Sequence, residues 1–406
     1  MSNEIKAKSK NAGVHPVHNE DTQIYNAARP HGKMKANVPV HHTVETKQRR
    51  FVKQTAMSAF TGSSFLNGGQ ITFKLDRTNV RILNHIYVQV KVTNGTGAAV
   101  VLAPTPSWID KITISAGDKT LAQITGQQLL LSLAFLARDE FEQVAKYFCT
   151  DANYSTTGVS LASGASGVYY IPLYHLFSTA RLCLEGLQDE IKVFIQMAPS
   201  SLSLISGSVP NVTEACLILK GYHESDSITQ GRRNLYRSQV PYKIPILNFL
   251  NHNDAQNLAA STSYTSKLVN IKGQVAGLFI AIRASAKTST NQSNYVPVAS
   301  LDIQLAGGES IIGHYVRLDK DMKIECSELF PNLFANKKDW YFVSFTSDPV
   351  GDYCTGTNHG YHVFVGTELL RFTTAAGLAS ATYDIDCHAL QCCHLHVQSG
   401  VMSLMY

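Results

Sequence analysis

"YIPLYHLFSTARLCLEGLQDEIKVFIQM", residues 170 to 197, decides how this chain folds. An apolar run ends in Pro172-Leu173, a second run alternates strictly through Ile191, Val193, Ile195 and Met197, and a mostly apolar connector lies between them. A two-residue turn would join neighbours in one sheet. Crossing the roughly 10 Å between two facing sheets takes a longer connector. The stretch therefore predicts two strands in opposing sheets of a sandwich, with Phe177, Leu182, Leu184 and Leu187 plugging its open end. Pro172, which cannot donate to a ladder, suits a strand edge or bend.

From residue 69 onward the dominant period is two. "HIYVQVKVTNG" sets Ile86, Val88, Val90 and Val92 on one face and Tyr87, Gln89 and Lys91 on the other, then ends in Asn94-Gly95, a hairpin signal. "SWIDKITISAGDKTLAQI", "EACLILKGY", "GLFIAIRA", "SLDIQLAGGESII", "DWYFVSFTS" and "GYHVFVGTELLRF" read the same way, so the chain is all-β. One clear helix is predicted after Thr125, where Thr125 and Gln128 form a T-x-x-Q capping box ahead of "LLLSLAFLARDEFEQVAKYF". Residues 150 to 167 and 286 to 295 are small and polar without period and read as exposed loops.

A weak internal repeat points to two similar sandwiches in tandem. "ITISAGDK" (Ile112 to Lys119) resembles "IQLAGGES" (Ile303 to Ser310), and "KVFI" (Lys192 to Ile195) resembles "HVFV" (His362 to Val365), in the same order. Gly231-Arg232-Arg233 interrupts the strand pattern and Pro241 and Pro245 restart an extended chain. The expected division is an arm over residues 1–50, a first sandwich over 51–227, a linker over 228–240 and a second sandwich over 241–406.

Composition bounds the surface and the compartment. The 406 residues are 44% hydrophobic and only 16% charged, which marks a globular chain with surface given to partner contacts. The net charge of +5 sits entirely in residues 1–50, where nine Lys/Arg oppose four acids; the rest of the chain is neutral. That arm cannot bury enough apolar surface to fold alone: it is either a solubilising tail or a segment ordered on a neighbour, a membrane face or nucleic acid. No apolar run reaches the roughly 18 residues of a membrane span and Met1 leads into no secretory segment, so synthesis in a cytosol-like compartment is expected. Eight scattered Cys then read as reduced core thiols, and the sequons at Asn94, Asn153, Asn211 and Asn291 carry little meaning.

Catalytic patterns are missing: no P-loop, H-E-x-x-H, G-x-S-x-G or dinucleotide fingerprint occurs, and no enzyme activity, catalytic residue or cofactor is expected. One cluster stands out in "DIDCHALQCCHLHVQ", residues 384 to 398. On a strand, His388, Cys392, His394 and His396 share a face with Asp386, and imidazole and thiolate are zinc or copper ligands. Side chains along one strand seldom converge on one ion without a partner segment, so no metal is assigned. Arg232, Arg233 and Arg237 with Tyr236 offer a phosphate site or simply a solvated linker, and the electrical balance outside the arm argues against a sequence-specific nucleic-acid reader.

In a jelly roll, eight strands form two facing four-stranded sheets and consecutive strands often lie in opposite sheets, which answers the long connector. The predicted fold is two tandem jelly-roll β-sandwiches with a few short helices and an irregular N-terminal arm. "YIPLYHLFSTARLCLEGLQDEIKVFI" resembles the segment "IPL...F......LPL..LQ...V" of double jelly-roll major capsid proteins, the lineage of tectiviruses and adenovirus hexon: Ile171-Pro172-Leu173, Leu182, Leu184, Leu187 and Gln188 match, and Cys183 replaces the usual Pro. "WIDKITISAGDKTL" likewise resembles that family's "...KI.L.IGG..I" strand. The resemblance implies a homotrimer forming a pseudo-hexagonal capsomer that tiles an icosahedral virion shell beside penton and minor capsid proteins. It also implies an arm that meets a neighbour or an internal lipid membrane through Lys6, Lys8, Lys10, Lys33, Lys35, Arg49 and Arg50, and outer or trimer-contact roles for the two long loops. A β-sandwich recognition protein, such as a viral spike or glycan binder, is the rival, and would be expected to carry aromatic or Asp/Asn clusters on its loop tips.

Overall fold

The computed structural model describes residues 48–132, 145–150, 158–173, 182–223, 226–289, 295–312, 317–329, 339–346 and 362–405. The first half holds β1 (Gln48–Thr55), β2 (Gln70–Lys74), β3 (Ile82–Thr93), β4 (Val100–Leu102), β5 (Ile109–Ala116), β6 (Lys119–Thr125), β7 (Val159–Leu161), β8 (Ser166–Pro172), β9 (Leu182–Cys183), β10 (Ile191–Met197), β11 (Leu204–Ser206) and β12 (Asn211–His223). The second holds β13 (Tyr242–Leu258), β14 (Ser263–Lys267), β15 (Gly273–Ala284), β16 (Val298–Gln304), β17 (Arg317–Leu318), β18 (Trp340–Ser344), β19 (His362–Phe364), β20 (Leu369–Thr374), β21 (Ala381–Gln398) and β22 (Val401–Met405). Helices α1 (Gly126–Ser132), α2 (Ser200–Ser203), α3 (Asp226–Arg237) and α4 (Asp319–Leu329) punctuate them.

The strand orders define the fold. One sheet of the first half runs β1-β12-β3-β8 and faces a second that runs β2-β10-β5-β6. In the second half β13-β21-β15-β18 faces β14-β20-β16-β17. Counting only these eight strands in each half, both give 1-8-3-6 opposite 2-7-4-5, with every pairing antiparallel. Two tandem jelly rolls with one topology are therefore present. β8 and β10 lie in opposing sheets, as their long connector requires, and Leu182, Leu184 and Leu187 are buried in the first core. Phe177 lies outside the described residues.

Alternation in the sequence becomes alternation in burial. Ile86, Val88, Val90 and Val92 of β3, and Ile191, Val193, Ile195 and Met197 of β10, face the first core. β15 departs from this rule: it is buried almost throughout, with Leu278, Ile280 and Ile282 in the second core and Ala276, Phe279 and Ala281 in a cluster on the opposite face. Leu131, Ala145 and Phe148 of the first half complete that cluster. The β13-β21-β15-β18 sheet is thus a middle layer covered on both faces, which explains its near-continuous apolar sequence. Its far end also enters the first core, to which Tyr242, Ile244, Ile246, Leu395, Val397 and Met402 belong.

Several local expectations need correction. Asn94-Gly95 closes no two-residue hairpin, because β4 pairs with β7 and β11 rather than with β3. Asn94 is instead fully buried, its amide donating to the carbonyls of Ala98, Leu161 and Ala162. The polar stretch 150–167 contains β7 and the start of β8. Residues 226–237, read as passing into a linker, form α3. The first repeat pair falls on equivalent strands, β5 and β16, whereas "KVFI" lies in β10 and "HVFV" in β19, which pairs with β15 instead of occupying the equivalent place at β20.

Candidate functional site

The cluster that suggested metal chemistry lies on β21, an 18-residue strand whose neighbours differ along its length. Asp386, His388 and Cys392 are buried, and Cys392 packs with Leu390 and Phe249 in the cluster between the jelly rolls. His394 and His396 are only half-buried, their ring centroids 6.4 Å apart. Among the described residues, no group of three His, Cys, Asp or Glu side chains could hold a metal ion. Burial pushes the Cys393 thiol up to about 12 and the Cys387 thiol higher still, so both are neutral packing groups.

Asp386 and His388 belong to a polar seam between the two jelly rolls. The first jelly roll contributes the Pro104–Asp110 turn, the first turn of α1 and Leu202; the second contributes Asn251, Asn253, Arg283, Lys287, Ser289, Asp386 and His388. Together they line a cavity of about 300 Å³. Arg283 pairs with Asp386 and donates through Nη1 to Gln127 Oε1 of the first jelly roll at 3.1 Å. Gln127 Nε2 donates in turn to the Tyr295 hydroxyl at 2.6 Å, and the Ser289 amide donates to the Ser201 carbonyl at 2.7 Å. Asp384 accepts from Lys287 and Ser285, which hold its carboxyl below the usual range against the opposing effect of burial. The local sequence prepares this seam. Gln128 Oε1 accepts from the Thr125 amide at 2.9 Å while Thr125 Oγ1 accepts from the Gln128 amide at 3.3 Å, the expected capping box, and this fixes α1 with Gln127 facing Arg283.

Of the arginines near the junction, Arg232 is buried and Arg237 is exposed. Arg233 pairs with Glu185, and Tyr236, fully buried, accepts from the Cys183 amide at 3.3 Å. Of the arm residues, Lys6, Lys8, Lys10, Lys33 and Lys35 lie outside the described residues. Arg49 and Arg50 belong to β1, in register with Tyr222 and Gly221 of β12, and Arg50 is exposed. Loop residues 151–157 and 290–294 also lie outside the described set. Sequence reasoning missed the seam because its partners, Gln127, Arg283, Tyr295 and Asp386, are far apart in the chain and carry no spacing motif. The one available signal was an Arg and an Asp inside the apolar runs "GLFIAIRA" and "DIDCHAL".

No family model and no curated protein matches this sequence. Among solved structures, a chain of the quasi-atomic PBCV-1 virus capsid superposes with a TM-score of 0.65 at 15% identity, covering 92% of this chain and 100% of that one. The Faustovirus major capsid protein gives 0.62 at 8% identity, with 90% and 93% covered, and a chain of the Sputnik virophage gives 0.58 at 9% identity, with 93% and 91% covered. At such identities the likeness establishes the fold, a double jelly roll shared over nearly the whole chain.

Proposed function

We propose that this chain is a major capsid protein of the virion, a structural rather than catalytic molecule that trimerises and tiles an icosahedral shell. One observation carries the reading: the same eight-strand order occurs twice in one chain, the two copies fused through a common buried layer. Three such chains supply six similar sandwiches, and a ring of six approximates a hexagon from a threefold molecule. In this reading the arm, with Lys6, Lys8, Lys10, Lys33 and Lys35, and Arg49 and Arg50 where it enters β1, meets neighbouring capsomers or an internal lipid membrane. Each Lys or Arg near an anionic surface contributes about 1 kcal/mol. The segment around 150–167 faces outward or toward trimer partners, as does 286–295 apart from Lys287, Ser289 and Tyr295, which turn to the seam between the jelly rolls; penton and minor capsid proteins are further partners, and synthesis is in the host cytoplasm.

The test is the mass and outline of the purified protein, by light scattering and negative-stain microscopy at low and moderate salt. The expected species has about three times the 44.5 kDa chain mass and a hexagonal outline. A compact monomer at every concentration would defeat the capsomer and favour a recognition module.

A further inference from the structure

His388 is 1% exposed and lines the seam cavity, and neither ring nitrogen has a hydrogen-bond partner among the described residues. A buried imidazole without partners is poorly placed to accept a charge. Its surroundings reinforce this. β21 presents Asp386 and, two residues earlier, Asp384; β15 presents Arg283; the segment after β15 presents Lys287; β13 presents only the amides Asn251 and Asn253. Across the cavity stand Asp110 and Gln127, with the Tyr295 hydroxyl behind Gln127.

The carboxylate best placed to neutralise an imidazolium is already engaged, because Asp386 accepts from both Arg283 and Asn253. Were it to turn to His388, Arg283 would lose its counter-ion, and Arg283 is the group that reaches Gln127 across the seam. Asp384 is similarly held by Lys287 and Ser285.

We propose that the seam is an acid-sensitive joint, in which protonation of His388 breaks the polar stitches between the jelly rolls and brings the buried ring into contact with water while the apolar layer beside it holds. The joint is independent of the capsid reading, since every group in it belongs to one chain. Burial, opposed by Asp386 and aided by Arg283 and Lys287, holds His388 at about 4, against an ordinary value near 6.5 that it regains once hydrated. Above pH 6.5 both states leave it neutral. Between 6.5 and 4 only the open state binds the proton, so acidification favours opening, and below 4 the effect saturates. Going from pH 7 to pH 4 raises the open-to-closed ratio by roughly 100-fold.

Hydrogen exchange of the full-length protein across pH 7 to 4, corrected for the intrinsic pH dependence of exchange, tests this. Segments 125–131 and 281–289 should lose protection on acidification, while β3 and β10 keep theirs. In His388→Gln the seam should keep its protection down to pH 4; His388→Phe, which fills the space without a proton site, serves where the Gln variant misfolds. Seam protection that is unchanged with pH in the wild type, or that falls equally in a folded His388 variant, would overturn the proposal.

Discussion

Glu185 joins three segments of the first jelly roll. Its carboxylate meets Arg81, at the entry to β3, at 3.0 Å and Arg233 of α3, while it sits itself on the connector between β8 and β10. Exposed ion pairs contribute 1 kcal/mol or less, and breaking a buried one costs about 3 to 5 kcal/mol; these half-buried groups fall between. Glu185→Gln keeps the shape and removes the charge, so it should lower stability by about 2 kcal/mol. Chemical denaturation should show an earlier midpoint with an unchanged slope, and an unmoved midpoint would mean the clasp is idle. Legibility at this scale followed the range of each residue's partners. Thr125 and Gln128 were readable because both halves of their bond lie three residues apart. Asn94 was misread because its carbonyl partners include Leu161 and Ala162, 67 and 68 residues away, and only its neighbour Gly95 was visible.

The β8–β10 connector shows an element whose chemistry was legible before its geometry. Its leucines were expected to close the sandwich, and they do enter the core. Part of the segment also forms β9 on the end of β3, and Gln188 donates its amide to Gly400 of the β21–β22 turn at 2.7 Å. That turn, Ser399-Gly400, has positive φ at both residues, 52° and 78°, the geometry that matches the twist of a two-residue hairpin. The connector therefore ties the end of the chain to the first jelly roll. Leu184 is 1% exposed there, and Leu184→Ala should cost about 3 kcal/mol, measured as a fall in folding free energy. A loss below about 1 kcal/mol would mean the site collapses freely or contributes little. α3 escaped the sequence reading for a related reason. Among the described residues its buried side chains are Thr229, Arg232 and Tyr236, a helical stripe of amphipathic groups that an apolar-periodicity reading cannot see. The strand order resolved the repeat where the letters misled: "HVFV" copies "KVFI" in residue type, yet β19 joins the other sheet.

At the scale of the whole molecule the decisive feature is the middle sheet. Tandem domains joined by an exposed linker usually move and unfold separately. Here β13, β21 and β22 supply Ile244, Ile246, Leu395, Val397 and Met402 to the first core, while earlier residues of the same β21, Ile385, Cys387 and Ala389, line the second. One strand thus belongs to both cores, and neither jelly roll can lose its packing without exposing the other's. The sequence indicated two sandwiches and could not indicate this fusion, because a run buried on both faces reads the same whether its second cover is a partner sheet or another domain. Calorimetry of the full-length protein should give one cooperative transition in which the calorimetric and van't Hoff enthalpies agree for a unit containing both jelly rolls. Leu395→Ala, at a fully buried position of the second half packed in the first core, should cost about 3 kcal/mol and move that transition as a whole. Two resolved transitions, or a variant that shifts one and leaves the other in place, would show instead that the cores fold independently and that the shared strand is only a contact between them.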